Sequence, residues 1–506
     1  MFKISRFSKL KISILLILII SASLRFYNLP NSFIFAGDEE YQATLAQSLV
    51  KDFHIIWVGV NAAHLGFYLG PYWTYFSAFW LWLSQGNPLI TGYVSSAIGV
   101  LTTLLIILTG SSLFGRKTGL FAGLLYATLP LMVFFDQKYW NPTLIPLLSL
   151  LLLLSLFKTK QNPGWLILFA ASYGLVFHTH LSLIPVIFIA GYWLVRQKIR
   201  PSGKIILLSL ATFLIMLAPL IAFDYFHKGS NITTPLRYKE ITADYRNQVN
   251  PGQHLPALFQ VLGRVWFIQA PSVNADEVIT SCTDSSRIGN PKVAGISQRF
   301  TPPVWLSLIG LAFLLLFLIN RKTWKKDAHT LLALFLITLM AAFLLFPGGA
   351  FEYYLLGVFP LLMFLPGILT DYFTRFKPTI ILVVFLAAIL GTYTVLTNKP
   401  EFGLGVKNSL IKQVITYINN EPFELKQTGL CHFYEGWRYL FIVNGKKPER
   451  SDSDQGMGWL YQSEITNKPI KYTVIFSESR VPVSFDTKDA TILKSGGFTT
   501  YIFKTQ

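Results

Sequence analysis

Residues 204–223, KIILLSLATFLIMLAPLIAF, decide the fold class of this chain. The stretch carries a single charged side chain, Lys204, at its first position, and as a helix it would be about 30 Å long. That length matches the hydrocarbon core of a bilayer. Inside lipid a helix also satisfies all of its own backbone hydrogen bonds, so the stretch predicts a transmembrane helix.

Apolar runs of this kind recur along most of the chain. Of its 506 residues, 52% are hydrophobic and 13% are charged, and the mean hydropathy is +0.48. A water-soluble protein of this size would need more polar surface to cover its core. The composition therefore predicts an all-α polytopic membrane protein, with apolar runs at 12–22, 67–84, 89–113, 118–135, 142–157, 164–178, 181–195, 204–223, 303–320, 329–346, 353–370 and 378–397.

The net charge of +18 does not indicate a nucleic-acid partner, because Lys and Arg are concentrated in short segments between apolar runs. Such segments are retained in the cytoplasm. We assign to that side Arg116 with Lys117, Lys158 with Lys160, residues 196–204, residues 321–326, and Arg375 with Lys377. The segments 28–66, 136–141, 178–181, 224–302 and 347–352 then lie on the outer face.

The crossing number depends on residues 67–84. Two apolar runs separate the outer segment ending near His64 from Arg116, where only an odd number of crossings fits. We predict that the aromatic-rich run 67–84 lies along the interface or re-enters the membrane. About eleven crossings result, within a range of 11–13, in a plasma-membrane protein with its N-terminus in the cytoplasm and its C-terminus outside. Ser21-Ala22-Ser23 only weakly resembles a signal-peptide cleavage site, so a retained first helix is preferred.

The chain changes character near Pro400, which divides a transmembrane region, 1–399, from an extracytoplasmic α/β domain, 400–506. Residues 471–476 and 499–503 have the pattern of short strands, and 407–419 that of an amphipathic helix. Cys282 and Cys431 either pair outside the membrane or remain reduced thiols.

The first outer segment contains three adjacent carboxylates, in Gly37-Asp38-Glu39-Glu40-Tyr41. Mutual repulsion would raise the affinity of at least one of them for a proton or a cation, as in an active site. The alternative is a helix N-terminus, where acidic groups complement the helix dipole. The two interpretations are about equally supported by position alone.

These residues also resemble a known family. The Asp-Glu loop after a first helix, followed by His64-Leu65-Gly66-Phe67-Tyr68, is similar to the GT-C glycosyltransferases that use polyprenyl-phosphate sugars, such as protein O-mannosyltransferases and the aminoarabinose transferase of lipid A. Ser111-Ser112-Leu113-Phe114-Gly115-Arg116-Lys117 resembles an inner turn of that family, and Tyr139-Trp140-Asn141-Pro142 an outer one. The resemblance covers the layout of about residues 10–400 and implies the GT-C fold.

The resemblance also implies roles for single residues. Asp38 would be the general base that deprotonates the acceptor, and Glu39 would orient it or bind the acceptor. Tyr41 and Asn141 are further candidates for substrate binding, although the family often has an acid at the position of Asn141. Glu40 has no assigned role and is expected to be solvated.

Cationic or hydrogen-bonding groups are needed to hold the leaving phosphate. The outer candidates are His64, Lys138, His178, His180 and Arg237, each of which has the alternative of a membrane-anchoring role. A divalent metal on His178 and His180, with Glu39 or Glu352 as third ligand, is weakly indicated, and the metal requirement stays open. Asp136 either compensates for Asn141 or pairs with Lys138.

Glu352, Tyr353 and Tyr354 resemble the family's entry to a late helix that approaches the lipid carrier, although an acid there also suits a helix N-terminus. The sequence thus predicts an inverting glycosyltransferase that moves a sugar from polyprenyl phosphate to an acceptor glycan, lipid or protein outside the cytoplasm. A glycan polymerase or ligase shares this topology. A lipid-linked glycan flippase or transporter is the other alternative, but it would need ionisable groups inside the spans, and these are nearly absent.

Overall fold

The computed structural model describes residues 6–61, 67–237, 252, 254–266, 302–346, 350–428, 436–479 and 482–505. Its first half contains α1 (Arg6–Phe26), α2 (Leu29–Ser32), α3 (Gly37–Asp52), α4 (Tyr72–Leu83), α5 (Leu89–Leu113), α6 (Arg116–Thr128), α7 (Pro130–Gln137), α8 (Ile145–Lys158), α9 (Trp165–Val176), α10 (Val186–Arg196), α11 (Gly203–Phe226) and α12 (Ser230–Leu236). The second half contains α13 (His254–Arg264), α14 (Val304–Leu318), α15 (Arg321–Lys325), α16 (Asp327–Leu345), α17 (Phe359–Leu362), α18 (Phe364–Tyr372), α19 (Lys377–Thr397), α20 (Leu404–Ile418), α21 (Trp437–Val443) and α22 (Asp454–Met457).

The strands are β1 (Phe423–Gln427), β2 (Arg450–Ser451), β3 (Tyr472–Glu478), β4 (Thr491–Ser495) and β5 (Phe498–Lys504). They form a sheet in the order β2-β1-β3-β5-β4, in which β1 is parallel to β2 and β3, while β5 is antiparallel to β3 and β4. The fold class predicted from the sequence is confirmed: a helical membrane region carries a small C-terminal α/β unit.

Apolar helices of membrane-spanning length are present as expected in a multi-pass protein. Among the described residues, five helices are long and apolar enough to cross a bilayer, and α6 with α7 makes a sixth if the bent pair is counted as one span. Four shorter apolar helices accompany them. Helix α4 has only 12 residues, which gives a length of about 18 Å, well short of a bilayer core.

One span is broken where Pro130 follows Leu129, and α6 and α7 meet there at 65°. Proline has no N–H to donate to the preceding turn, so carbonyl groups at the end of α6 lose their helical partners. Arg25 of α1 takes their place: its guanidinium donates to the backbone oxygens of Tyr126 and Ala127, both at 3.0 Å. The break lets α7 turn and bring Lys138, just after its end, to Glu39 of α3.

Loops that the charge pattern assigns to the same side of the membrane contact one another. On the predicted inner side, Asp327 binds both Lys160 and Gln197. On the predicted outer side, Glu39 binds Lys138, and the ring of His180 packs on that of Tyr354. Which of these two groups of loops faces the cytoplasm stays a prediction from the charge distribution.

A single apolar core joins the C-terminal unit to the first outer segment. Phe33 and Phe35, just before α3, are buried together with Trp437, Phe476 and Phe498 of the C-terminal unit. The C-terminal sheet and helices therefore pack directly against the segment that carries the three carboxylates.

Candidate active site

The first turn of α3 sends its three carboxylates into three environments. Successive residues on a helix point about 100° apart, so neighbours cannot share one surface. Asp38 is exposed, whereas Glu39 and Glu40 are 2% and 1% exposed. Asp38 is therefore the carboxylate of this group that is accessible to a soluble acceptor.

Glu39 forms an ion pair with Lys138, which follows α7. The Lys138 Nζ atom lies 2.8 Å from Glu39 Oε1 and 4.6 Å from the centre of the Trp140 ring. Burial raises the pKa of Glu39, and the charge of Lys138 opposes that rise. The second oxygen, Oε2, is buried and makes no hydrogen bond within the described part of the chain. The pair ties α3 to the outer end of the broken span, directly beside Asp38.

Aromatic rings from three separate segments gather beside this pair. Tyr353 lies 4.9 Å from Trp140, 4.5 Å from Tyr354 and 5.4 Å from His180, measured between ring centres. The Lys138 Nζ atom, which is bound to Glu39, lies over the Trp140 ring and so joins these rings to the first turn of α3. Burial lowers the pKa of His180 to about 4, so this ring is neutral at physiological pH. We call Trp140, His180, Tyr353 and Tyr354 the aromatic cluster.

His178, predicted to hold phosphate, makes hydrogen bonds to other parts of the protein with both of its ring nitrogens. Its Nε2 atom lies 2.7 Å from the Met216 carbonyl oxygen, its Nδ1 atom accepts from the Tyr72 N–H, and its ring stacks on Tyr72 at 4.0 Å. Both ring nitrogens are thus occupied, which leaves neither for a phosphate or a metal. His178 connects the start of α4 to α11.

The other predicted residues are dispersed around the site. Glu352 pairs with Arg264 at 2.7 Å and is 3% exposed. Tyr41 is half-buried near Asn61, Asn141 is half-buried at the start of a 3-10 turn, and Arg237 is exposed at the end of α12. His64, together with Cys282 and Cys431, lies outside the described residues, as does most of segment 224–302, which the charge pattern assigns to the outer face.

Two expectations from the sequence are wrong. Glu40 is not solvated: its side chain is buried and accepts hydrogen bonds from the backbone N–H groups of Gly436 and Tyr439. Asp136 does not pair with Lys138 but with Arg25, at 2.7 Å, and it also accepts from the Tyr126 hydroxyl. In each case the true partner comes from a distant part of the chain.

Several contributors to the site escaped the sequence interpretation. Arg25, Arg264 and Lys407 are buried cations whose partners are supplied by the fold. A charged residue within or beside an apolar run was the available signal for Arg25, because such a group must be paired. No comparable signal marks Arg264 or Lys407. Among the described residues, no group of three His, Cys, Asp or Glu side chains is arranged to hold a metal ion.

The arrangement combines the elements of a group-transfer site. An exposed carboxylate can take a proton, the Lys138 ammonium supplies positive charge, and the rings of the aromatic cluster can bind the apolar face of a sugar. They meet where α3, the segment after α7 and the segment before α17 converge.

Comparisons with known proteins agree with the resemblance inferred from the motifs. A family model described as dolichyl-phosphate-mannose-protein mannosyltransferase matches residues 70–223. No curated protein matches the sequence significantly. Among solved structures, apo ArnT from Cupriavidus metallidurans matches with a TM-score of 0.55 and 10% identity over 96% of this chain and 97% of that one. ArnT bound to undecaprenyl phosphate gives 0.50 and 11% over 98% of both chains.

The archaeal oligosaccharyltransferase AglB from Archaeoglobus fulgidus, solved with an inhibitory peptide and a dolichol-phosphate, also matches, with a TM-score of 0.47 and 13% identity over 94% of this chain and 70% of that one. The match to ArnT extends over nearly the whole chain and shows a shared GT-C membrane fold. The family model adds sequence similarity to mannosyltransferases, which covers less than a third of the chain.

Proposed function

We propose that this protein is an inverting membrane glycosyltransferase that transfers one sugar from a polyprenyl-phosphate carrier to an acceptor on the extracytoplasmic face. The observation that carries the proposal is the position of Asp38, an exposed carboxylate one residue before Glu39, whose partner Lys138 lies over Trp140 of the aromatic cluster. The similarity of residues 70–223 to mannosyltransferases, and the fold shared with a protein solved with undecaprenyl phosphate, support the same class of reaction.

In the proposed reaction the oxygen or nitrogen of the acceptor attacks the anomeric carbon of the donor sugar. Asp38 accepts the proton that this hydroxyl or amine group loses. The bond from that carbon to the phosphate oxygen breaks on the opposite face, so the configuration inverts and polyprenyl phosphate departs with the electron pair. Lys138 and His180 are the proposed partners of the leaving phosphate. The rings of the aromatic cluster would pack against the apolar face of the sugar.

The test is transfer by the purified protein in lipid vesicles supplied with a panel of radiolabelled polyprenyl-phosphate sugars and acceptors, with and without a chelator. Asp38→Asn keeps the shape of the side chain but removes its basicity, so transfer should fall by about 100- to 10,000-fold. Asp52→Asn, at the exposed far end of α3, is the matched control and should transfer normally. Near-normal turnover by Asp38→Asn would end the assignment of this residue.

The same experiment separates the alternatives. A flippase would move the labelled carrier across the bilayer without forming a covalent product. A polymerase or ligase would lengthen or join lipid-linked glycans but would not use a monosaccharide carrier as its only donor.

A further inference from the structure

The segment that leads into α3 is bound along its length by the C-terminal unit. The backbone N–H of Leu404 donates to the Phe33 oxygen at 2.8 Å, and the Lys407 Nζ atom donates to the Phe35 oxygen at 2.8 Å. Lys407 is 0% exposed, and its ammonium lies over the rings of Trp437 and Phe498. A lysine is buried in this way at a high cost in solvation, which a purely apolar contact would avoid.

Glu40 continues these contacts into the first turn of α3. Its Oε2 atom accepts from the Gly436 N–H at 3.0 Å, and its Oε1 atom accepts from the Tyr439 N–H at 3.2 Å. Both donors belong to the start of α21, where unpaired N–H groups favour a carboxylate. Gly436 has a φ of +80°, and a Cβ atom there would lie 2.6 Å from the Phe35 ring, so glycine is required for this close approach.

The membrane region binds the same turn from another direction. Glu39, one residue before Glu40, pairs with Lys138 at the end of the broken span. Between residues 33 and 40, backbone or side-chain atoms are therefore bound by the C-terminal unit at Phe33, Phe35 and Glu40 and by the membrane region at Glu39. Asp38 lies within this doubly bound turn and is itself exposed.

We propose that Glu40 and Lys407 are positioning residues, through which the C-terminal unit sets the orientation of Asp38 toward the acceptor. The inference rests on the proposed function, in which Asp38 is the general base. A base must be held within hydrogen-bonding reach of the proton it removes, and a displacement of about 1 Å can reduce a rate by about 100-fold. The C-terminal unit is accordingly part of the active site rather than a separate cover.

The test compares Glu40→Gln and Lys407→Met with the wild type in the intact protein. Gln can accept only one of the two N–H groups, and Met retains the apolar stem of Lys407 but donates nothing to Phe35. We expect kcat to fall by about tenfold or more in each variant, while the KM for donor changes by less than about threefold. Lys51→Ala removes an exposed contact with Glu464 between the same two parts of the protein, at the far end of α3, and should leave both constants unchanged.

Hydrogen exchange supplies a readout that does not depend on activity. In both variants the amides of residues 33–41 should exchange about tenfold faster, while those of α5 and α8 are unaffected. A fall in kcat with little change in the KM for donor, together with faster exchange at residues 33–41, supports the proposal. Turnover within twofold of the wild type, or unchanged exchange at residues 33–41, would overturn it. Failure of the general-base assignment would instead appear as an active Asp38→Asn variant, whatever the exchange of this segment.

Discussion

At the scale of single residues, three consecutive carboxylates have different tasks because each meets a different neighbour. Asp38 is exposed, Glu39 pairs with Lys138, and Glu40 accepts from the N–H groups at the start of α21. Burial raises the pKa of both Glu39 and Glu40, and hydrogen bonds and nearby cations counteract it. Their charge therefore depends on partners that a substitution can remove.

Lys138→Met is expected to reduce transfer by about 10- to 100-fold. The substitution leaves Glu39 buried without its cation, so that carboxylate would take up a proton, and the proposed phosphate partner is lost as well. Lys138→Arg preserves the charge and should recover part of the activity. Kinetics of the two variants with one labelled donor check the prediction, which fails if Met is as active as Arg.

Burial lowers the pKa of Lys407 from 10.5 to about 7. The charges of Glu40, Glu39 and Glu478 oppose this decrease, whereas the charge of Lys138 adds to it. Between pH 7 and about 10 the unfolded chain then holds more protons at this position than the folded one, so the free energy of unfolding rises with pH. Lys407→Met removes this dependence. The apparent Tm of the wild type should increase relative to that of the variant from pH 7 to pH 9. If the Tm difference between the two proteins does not change with pH, the pKa of Lys407 is not lowered in the folded protein.

At the scale of secondary structure, the break between α6 and α7 is the element on which the site depends. Pro130 frees carbonyl groups, Arg25 of α1 binds them, and Asp136 of α7 neutralises Arg25 at 2.7 Å. Lys138, directly after the end of α7, then reaches Glu39. A charged pair buried among helices is retained where its geometry has a use, since apolar residues would pack there at lower cost.

Arg25→Leu is expected to destabilise the protein by about 3–5 kcal/mol, because Asp136 is left as a buried charge without a partner. The double variant Arg25→Leu with Asp136→Leu removes both charges and should recover much of that loss. Thermal unfolding in detergent compares the single and double variants. Equal destabilisation in both would contradict this prediction and attribute the loss to the Tyr126 and Ala127 carbonyl groups, which lose Arg25 in either variant.

At the scale of the whole molecule, the charged loops are sorted to two ends of the helix bundle. Asp327 joins two loops at one end, whereas Glu39, Lys138, His180 and Tyr354 meet at the other. The C-terminal sheet packs on the first outer segment and therefore belongs to the end that holds the candidate site. In the proposed function, this is the end of the bundle at which the lipid-linked donor and the acceptor would meet.

The orientation of the chain can be tested by labelling with a membrane-impermeant maleimide in intact cells. In a background with Cys282 and Cys431 replaced by Ser, Lys488→Cys in the exposed C-terminal unit should react without permeabilisation. Lys160→Cys, in a loop predicted to be cytoplasmic, should react only after permeabilisation. The reverse pattern would invert the topology and place the candidate site inside the cell.

The sequence alone was sufficient for the membrane class, most helix positions and the strands near 471–476 and 499–503, while the role of Asp38 stays a prediction. These depend on local patterns: apolar length, the distribution of Lys and Arg, and the alternation of a strand. The partners of Glu40, Asp136, Lys138 and Lys407 were decided only by the tertiary structure. Each is a charged group whose partner lies far away in the chain, whether an opposite charge, as for Asp136 and Lys138, or a backbone group, as for Glu40 and Lys407. Many groups in the sequence could fill either role, so the packing of the segments selects which of them pair.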